Sequence, residues 1–372
     1  MSKIKIVLVG GGTGGHFYPL IALAEALRTQ EQKPDLYYAG PNKYDADALT
    51  ASSIAFIAIP AGKKRKYWSI LNYIDVFKTI FGIFVAIIKL YIVYPDVIVS
   101  KGGYTSIPVI IGAVFLRIPI IVHESDAKMG TANRFASRFA HSIIIAYEET
   151  GASLHHPRVY NLGIPVRKAL LAPPNPDAIQ SLNIDPQRPL ILVIGGSQGA
   201  ERVNRLILDA LDELLPMYSI IHQTGQSNFA TISRSVDTLI PNEALRKNYH
   251  PMPFLNQYEL NNAYHLAQII ISRAGSNSIY EIALHGKPSI IIPIPEEISH
   301  DQRTNAYAYA RSGAAIVLEE KNFSDTLLQS EIDRIMSDTA LYEHMSHTAS
   351  SFGKPDVAEQ MSTLILEIAQ HN

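Results

Sequence analysis

The sequence predicts two doubly wound α/β domains in tandem, each built on a parallel sheet, and three observations support this. Short β-branched runs alternate with helical patterns along the chain, which is typical of βαβ units. A proline-rich stretch at residues 163–189 interrupts the alternation, and a glycine-rich loop follows the first strand of each half. At roughly 150 residues per domain, the 372 residues suffice for two domains.

The first half contains six predicted strands. The run IKIVLV at residues 4–9 is apolar throughout, as expected of a strand buried on both faces. The next segment places Leu20, Leu23, Ala24 and Leu27 on one helical face. The other predicted strands of this half are residues 36–39, 54–59, 97–100, 118–122 and 143–145.

A linker and a second alternating series follow. Residues 163–189 carry six prolines and are predicted to form a linker with one short helix. Further strands are predicted at residues 190–194, 219–222, 268–272, 289–292 and 315–318. A last helix at 357–370 is expected to pack back on the first domain. The predicted domains are therefore residues 1–165 and 166–353, with a C-terminal helical segment at 354–372.

The composition excludes several classes of site. Lys plus Arg number 32 and Asp plus Glu 34, a formal charge of −2, so we expect no nucleic-acid partner. The absence of cysteine excludes disulfides, thiolate zinc sites, iron–sulfur clusters and cysteine nucleophiles. The N-terminal MSKIKIVLVGGG lacks the layout of a signal peptide, and export is not expected.

One apolar stretch raises the question of a membrane. Residues 79–94 are nearly all apolar but number sixteen and include Lys89, whereas a spanning helix needs about 20 residues. We predict a helix with a broad apolar face. A basic and aromatic cluster lies upstream: Lys63, Lys64, Arg65, Lys66, Tyr67 and Trp68. The segment is either a buried helix beside a solvated loop or a surface that rests on anionic lipid, and composition does not decide between them.

The first glycine loop, GGGTGGH at residues 10–16, matches the dinucleotide fingerprint and at first favours NAD. NAD binding also needs an acidic residue at the end of the second strand, but that strand ends in Ala39 and Gly40, with Asp35 at its start. NAD is therefore disfavoured. An anion site at a helix N-terminus remains, with His16 facing the ligand or, alternatively, only capping the helix.

Further glycine and polar loops follow other predicted strands. KGGYTS at 101–106 lies in the same half as the first loop, and two such turns on one sheet edge can hold a diphosphate between them. GGSQGA at 195–200 supplies the Ser197 hydroxyl. Glu281, about one turn into a predicted helix, suits a vicinal diol such as a ribose, or merely complements the helix dipole. Gln302 and Asn305 carry amides suited to sugar hydroxyls.

Taken in order, these segments resemble the MurG family of peptidoglycan glycosyltransferases. The matching segments are GGGTGGHFYPLIALAEAL, SKGGYTSIP, HESDAKMGTANR, GIPVR, GGSQGA, SRAGSNSIYE and DQRTNA, between residues 10 and 306. The resemblance implies the GT-B fold, two Rossmann-like domains facing across a cleft. It also implies inverting transfer of N-acetylglucosamine (GlcNAc) from UDP-GlcNAc to undecaprenyl-linked lipid I, without a cofactor or metal. The implied location is peripheral, on the cytoplasmic face of the bacterial membrane, among other cell-wall proteins.

The resemblance also implies roles for individual residues. The first domain would face acceptor and membrane, and the second would bind UDP-GlcNAc. His16 would be the general base, Glu281 would bind the ribose, and the backbone of Leu255 would meet uracil. The implied UDP-GlcNAc residues are Thr13, Gly14, Gly15, Asp126, Arg167, Ser197, Leu255, Ser276, Asn277, Ser278, Ile279, Tyr280, Glu281 and Gln302. Those for the acceptor pyrophosphate are Gly11, Gly12, Gly102, Gly103 and Tyr104.

The sequence departs from the family pattern at one position, and three other functions are considered. The family usually has HEQN where this chain has HESD, so Asp126 replaces an asparagine and adds a charge. Asp45 and Asp47 imitate a DxD metal motif but are predicted to begin a solvated helix. The rivals are a UDP-sugar transferase with another lipid or small-molecule acceptor, a UDP-GlcNAc epimerase, and a non-catalytic nucleotide-binding scaffold.

Overall fold

The computed structural model describes residues 3–63, 71–195, 201–295, 300–322 and 324–371. The chain divides into two compact units: unit 1 is Met1–Lys168 with Pro355–Asn372, and unit 2 is Ala169–Lys354. The division follows Lys168 rather than residue 165, so Arg167 belongs to unit 1. The segment set apart at 354–372 falls within unit 1 from Pro355 onward.

Unit 1 contains a seven-stranded parallel sheet. Its strands are β1 (Lys5–Gly10), β2 (Asp35–Gly40), β3 (Ala55–Ala58), β4 (Val97–Gly102), β5 (Ile120–Glu124), β6 (Ser142–Ile145) and β7 (Val159–Asn161). Their order is β3-β2-β1-β4-β5-β6-β7, with all pairs parallel. The strand order reverses between β1 and β4, the place where doubly wound sheets bind ligands.

Helices connect these strands, as the alternating pattern predicts. They are α1 (Gly14–Thr29), α2 (Ala46–Ala51), α3 (Leu71–Val93), α4 (Ser106–Leu116), α5 (Thr131–Ala136) and α6 (Glu148–Ala152). The helix α3 has 23 residues, so the prediction of a sixteen-residue apolar segment was too short. Asp45 caps α2, where its Oδ1 accepts the Ala48 N–H at 2.9 Å. The prediction that this DxD-like sequence begins a helix is confirmed.

Unit 2 repeats the architecture with six parallel strands. They are β8 (Leu190–Ile194), β9 (Ser219–Gln223), β10 (Tyr249–Met252), β11 (Ala267–Arg273), β12 (Ser289–Ile292) and β13 (Ala315–Val317). Their order is β10-β9-β8-β11-β12-β13. Side chains of β8 alternate between two apolar cores, with Val193 in one and Leu192 in the other, so helices cover both faces of the sheet.

The helices of unit 2 precede and follow these strands. They are α7 (Ala178–Ser181), α8 (Glu201–Leu214), α9 (Phe229–Leu239), α10 (Glu243–Arg246), α11 (Gln257–Leu266), α12 (Ser276–Leu284), α13 (His300–Arg311), α14 (Asp325–Ser337) and α15 (Thr339–Phe352), with a 3-10 turn at Glu320–Asn322. Another 3-10 turn, Lys168–Leu170, spans the division between the units in the chain. The final helix α16 (Val357–Gln370) belongs to unit 1. There the Gln30 amide donates to the Ser362 hydroxyl at 2.8 Å.

Candidate functional site

Two glycine loops meet at the carboxyl ends of β1 and β4, which are neighbours in the sheet of unit 1. Gly12, Gly102 and Gly103 have φ values of +96°, +89° and +80°, which favour glycine. A Cβ on Gly103 would come within 2.7 Å of the Gly11 carbonyl oxygen. The two loops therefore lie side by side on one sheet edge, and only a glycine fits where they touch.

The helices that leave these loops are suited to an anion. Neither α1 nor α4 has an acidic residue in its first turn, and the side chains of their caps, Thr13 and Thr105, make no capping hydrogen bond. The buried Oγ1 of Thr105 has no hydrogen-bond partner among the described residues. The Tyr104 ring packs on Gly12, whose Cβ would lie 2.9 Å from Cε1. Helix N-termini of this kind attract negative charge.

The His16 ring lies against the second loop. A Cβ on Gly103 would lie 3.4 Å from Cδ2 and 3.7 Å from Nε2 of His16, and the buried Nδ1 has no hydrogen-bond partner within the described parts of the chain. Burial and the nearby charge of Lys101 together lower the pKa of His16 to about 4, against the opposing effects of the Asp126 charge and of a hydrogen bond with the Lys101 backbone. The imidazole is therefore neutral near pH 7 and able to accept a proton.

Two buried charged residues that the sequence analysis did not assign to the site lie near the second glycine loop. Lys101 on β4 is 1% exposed and Glu124 on β5 is 3% exposed. Glu124 accepts hydrogen bonds from the Asp126 N–H at 3.0 Å, the Gly130 N–H at 2.9 Å and the Asn133 amide at 3.0 Å. The predicted strand ended at residue 100, whereas β4 extends to Gly102 and encloses Lys101.

The remaining side chains near the first loop do not favour a dinucleotide. Asp35 begins β2 and pairs with Lys3, at the end of the strand away from the loop. Tyr38 donates its hydroxyl proton to the Gly10 carbonyl at 2.8 Å. Arg167 lies over the Tyr18 ring of α1, with its guanidinium carbon 4.6 Å from the ring centroid. Arg167, expected to help close the donor site, therefore stacks within unit 1.

In unit 2, α12 carries six of the predicted nucleotide residues, but not all of them face solvent. Ile279 is fully buried in the core, and Tyr280 is 2% exposed, its hydroxyl accepting the Lys354 N–H at 3.1 Å. These two side chains are therefore parts of the packing. Ser276 is buried and accepts a hydrogen bond from the Asn305 amide at 2.9 Å. Asn277 and Ser278 are half-buried on the first turn of the helix.

Glu281 is half-buried, one turn further along α12. Its Oε2 accepts the hydroxyl proton of Tyr264 at 3.0 Å. Tyr264 is itself fully buried and stacks on the His285 ring at 4.6 Å between centroids. The carboxylate is thus held in a fixed orientation by a tyrosine that the sequence analysis did not identify.

Other predicted contacts of unit 2 are already engaged within the fold. The Leu255 side chain is buried, and its N–H donates to Gln223 Oε1 at 3.1 Å. Gln302 Oε1 accepts the Ile294 N–H at 3.3 Å. Asn305 is buried and bonds to Ser276, so the expectation that its amide serves a sugar was wrong. Ser197 lies outside the described residues.

A cavity of about 460 Å³ in unit 2 is lined by residues that follow β12 and β13, among them Pro293 and Glu319. Its basic side chains are Arg202, Arg205, Arg303 and Lys321. Arg202 pairs with Glu320 at 2.7 Å, and Arg303 pairs with Glu319 at 2.9 Å, so acidic residues balance much of the positive charge. Among the described residues, no group of three or more His, Asp or Glu is placed to hold a metal ion.

A buried histidine in unit 2 makes stability depend on pH. His222 is fully buried, its Nδ1 bonds to the Tyr249 hydroxyl at 2.8 Å, and its Nε2 bonds to Asn204 Oδ1 at 3.0 Å. The Asn204 side-chain N–H donates to the Thr224 carbonyl, so the other side-chain atom of Asn204, Oδ1, faces His222. The Nε2–H of His222 therefore donates to Asn204 Oδ1, and Nδ1 of His222 accepts from the Tyr249 hydroxyl. Burial lowers the pKa of His222 to about 3.

We expect the free energy of unfolding to fall as the pH drops below about 6.5. In that range His222 binds a proton in the unfolded chain but stays neutral in the folded protein. The slope from this residue approaches about 1.4 kcal/mol per pH unit between the two pKa values. Urea unfolding of unit 2 between pH 7 and 5 measures it, with His222→Gln expected to flatten the curve. An equally steep curve in that variant would contradict the assignment.

Comparisons with known proteins cover both units. The glycosyltransferase family 28 N-terminal domain matches residues 6–145, and the family 28 C-terminal domain matches residues 190–361. A UDP-N-acetylglucosamine–N-acetylmuramyl-(pentapeptide) pyrophosphoryl-undecaprenol N-acetylglucosamine transferase from Treponema denticola is 36% identical over 84% of this chain and 83% of its own length. A protein of the same name, numbered 2, from Bacillus cereus is 32% identical over 98% of this chain and 99% of its own.

Solved structures show the fold. MurG from Acinetobacter baumannii superposes with a TM-score of 0.76 at 23% identity, covering 98% of this chain and 100% of its own. UDP-GlcNAc 2-epimerase from Neisseria meningitidis gives a TM-score of 0.69 at 14% identity, covering 99% and 100%. The predicted fold class, paired Rossmann-like α/β domains of the GT-B type, is thereby confirmed. The epimerase shares this fold, so the fold alone does not separate the two activities.

Proposed function

The chain belongs to the MurG family of N-acetylglucosamine transferases, and we propose that it transfers GlcNAc from UDP-GlcNAc to lipid I, with lipid II and UDP as products. The observation that carries the proposal is the nearly full-length match to transferases of this name. The paired glycine loops of unit 1 and the fixed carboxylate of unit 2 supply the groups that such a reaction needs.

The chemistry is an inverting displacement at the anomeric carbon of the sugar. The attacking hydroxyl of the acceptor loses its proton to His16, and its oxygen forms the new bond to the anomeric carbon. The bond from that carbon to the diphosphate oxygen breaks, and its electron pair leaves with UDP. His16 is suited to the proton because burial keeps the imidazole neutral at pH 7, and general-base help is typically worth about 10²–10⁴ in rate.

The glycine loops of unit 1 would hold the acceptor pyrophosphate. Gly11, Gly12, Gly102 and Gly103 allow a ligand to approach the backbone closely, and the starts of α1 and α4 provide the positive ends of two helix dipoles. Tyr104, packed on Gly12, forms a wall of this site. A diphosphate suits such a site because one of its phosphates can lie at the N-terminus of α1 and the other at the N-terminus of α4.

Residues of unit 2 would hold UDP-GlcNAc. The first turn of α12, with Ser276, Asn277 and Ser278, offers hydroxyl and amide groups to the nucleotide. Glu281 would accept hydrogen bonds from the ribose hydroxyls while Tyr264 holds its other oxygen. The side chains of Leu255, Ile279 and Tyr280 are buried, so these residues would contact UDP-GlcNAc through backbone groups. Ser197 and Gln302 remain proposed contacts of the diphosphate and the sugar, as do Thr13, Gly14, Gly15, Asp126 and Arg167 of unit 1.

Replacing Glu281 by alanine is expected to raise the KM for UDP-GlcNAc by about 10–100-fold with a smaller change in kcat. A hydrogen bond to a charged group contributes about 1.5–3 kcal/mol, and each 1.4 kcal/mol is tenfold in affinity. Initial rates against donor concentration, with Glu343→Ala as a control for an exposed glutamate of the same unit, measure this. Tyr264→Phe should give a weaker effect of the same kind, and an unchanged KM in Glu281→Ala would exclude the ribose role.

The location proposed here is peripheral, on the cytoplasmic face of the cell membrane. The helix α3 is long and apolar enough to cross a membrane by length and composition, and 17% of its most apolar window is buried. It nevertheless packs on unit 1, where Ala86 and Leu90 are fully buried and Ala86 lies close to Gly112 of α4. Of the two interpretations left open by the sequence, a helix buried in the core therefore does not fit most of the surface of α3. Of the upstream basic cluster, only Lys63 lies within the described residues.

Incubation with labelled UDP-GlcNAc and lipid I tests the whole proposal, with a lipid-linked disaccharide and UDP as expected products. UDP release with another acceptor but not lipid I would indicate a different transferase. Conversion of UDP-GlcNAc without any acceptor would indicate an epimerase, and no turnover with tight nucleotide binding would indicate a scaffold. We also expect protein partners in cell-wall synthesis, which this assay does not detect.

A further inference from the structure

Three consecutive polar residues are buried at the carboxyl end of β9. His222 and Thr224 are fully buried, and Gln223 between them is 5% exposed. Burying a polar group is unfavourable unless it is hydrogen-bonded. The hydrogen-bond partners of these three side chains therefore indicate which parts of unit 2 the strand end holds in place.

Gln223 lies between the loops that follow two neighbouring strands. It pairs with Ile194, the last residue of β8, and with Met252, the last residue of β10. Its side-chain Oε1 accepts the N–H of Leu255 at 3.1 Å, and the bond is buried. The side chain therefore reaches from its own strand into the loop between β10 and α11.

That loop, residues 253–256, is anchored at both ends as well. At its start the Met252 carbonyl accepts the Thr224 N–H at 2.9 Å and lies 3.1 Å from the Thr224 hydroxyl. At its end Asn256 caps α11, where its Oδ1 accepts the Glu259 N–H at 3.0 Å and its N–H donates to Glu259 Oε2 at 2.8 Å. The bond to Gln223 then fixes the backbone between these two anchors.

The same strand end also holds the helix that follows the glycine loop of unit 2. Asn204 of α8 donates its amide to the Thr224 carbonyl at 2.9 Å, and its Oδ1 accepts from His222 Nε2 at 3.0 Å. Both α8 and the β10–α11 loop are therefore tied to β9 by buried hydrogen bonds. The end of β9 sets how far these two elements lie apart.

We propose that Gln223 is a positioning residue that sets the preference of unit 2 for a uracil base. The inference deepens the proposed function and rests on it, because it takes the backbone of Leu255 as the contact of uracil. Hydrogen bonds form within a distance range of about 0.5 Å, so a small shift of this backbone loses the base. Without the Gln223 oxygen, the buried Leu255 N–H would lack its partner, and the loop would move to satisfy it.

The two nucleotides UDP and ADP test this inference without turnover. They carry the same ribose and diphosphate, so the ratio of their Kd values for the full-length protein, measured by calorimetry, reports the base alone. Gln223→Met keeps the size of the side chain but removes the acceptor, and it should reduce the preference for UDP by about tenfold. Gln223→Glu keeps an acceptor oxygen and should restore the preference. Gln180→Met, at an exposed glutamine of α7 in the same unit, is the control and should change nothing.

Kinetics provide a second readout. Gln223→Met should raise the KM for UDP-GlcNAc by about tenfold and leave kcat near the parent value, because the base lies away from the bond that breaks. A lower kcat with an unchanged KM would contradict the proposal.

Several binding results would overturn the role of Gln223. Equal weakening of UDP and ADP in Gln223→Met would show a purely structural effect, and an unchanged ratio would show no effect on the base. Loss of the preference in Gln223→Glu as well would show that the bond to Leu255 is not its cause. Should Gln223→Met not fold, Gln223→Asn decides, because its shorter side chain withdraws the oxygen and an unchanged ratio in it contradicts the proposal.

The parent protein separates this inference from the proposed function. If the parent prefers UDP and the Gln223 variants keep that preference, only the inference fails. If the parent binds UDP no better than ADP, the assignment of UDP-GlcNAc as donor is refuted, and the inference fails with it.

Discussion

His16→Ala should lower kcat for lipid II formation by about 10²–10⁴-fold, the usual contribution of a general base. The neutral imidazole stands at the junction of the two loops proposed to hold the acceptor pyrophosphate, so its loss removes the proton acceptor. Binding of UDP-GlcNAc, assigned mainly to unit 2, should change little. Single-turnover rates and donor affinity by calorimetry separate these two effects.

A matched control keeps this prediction specific. His155 is exposed and lies in the same unit, so His155→Ala should leave the rate unchanged. His16→Gln keeps a polar side chain of similar length but cannot accept the proton, and it should be about as slow as the alanine variant. A kcat within a few-fold of the parent in either His16 variant would remove this residue from the base role.

Phe77→Asp with Phe84→Asp is expected to weaken binding to anionic vesicles by about 100-fold or more. The two rings are 73% and 62% exposed on α3, and burying a phenylalanine is worth about 1.5–3 kcal/mol. Since α3 is about 35 Å long at 1.5 Å per residue, its apolar side can lie along a bilayer surface. Vesicle co-sedimentation measures the loss.

The control for α3 uses apolar residues of unit 2. Met217 and Leu239 are 63% and 44% exposed, and their replacement by Asp should leave vesicle binding intact. Turnover of a water-soluble lipid I analogue should be unaffected in the α3 variant, because both rings are exposed and neither belongs to the core of unit 1. Protein that resists extraction from membranes at high pH would contradict a peripheral location, and unchanged vesicle binding would contradict the role of α3.

The interior strands could be predicted from sequence because both of their faces are buried. For example, β8 and β12 match their predicted bounds, and every residue in them is buried. Two edge strands could not be predicted. In β7 none of the three residues is fully buried, and β10 reads YHPM with a proline inside. An edge strand pairs on one side and tolerates polar residues and proline, so its sequence carries little apolar signal.

The site could be predicted in part. The glycine loops and His16 are visible because glycine is needed where backbones touch. Ile279 and Tyr280 carry no such signal, since core and ligand-facing positions look alike within one helical motif. Lys101 could not be assigned, because a lysine in sequence indicates a solvated position and only the fold shows it enclosed. The length of α3 was missed because Asp75 and Lys78 interrupt the apolar run at its start.

The grouping of α16 with unit 1 makes unit 2 an insertion between two parts of its neighbour. During synthesis on the ribosome, residues 169–354 emerge and can fold while unit 1 still lacks the helix that packs on α1. A nascent chain therefore completes unit 1 last. A nonsense mutation shortly before residue 355 would remove the last helix of unit 1 and damage that unit first, although the lost codons follow those of unit 2 in the gene.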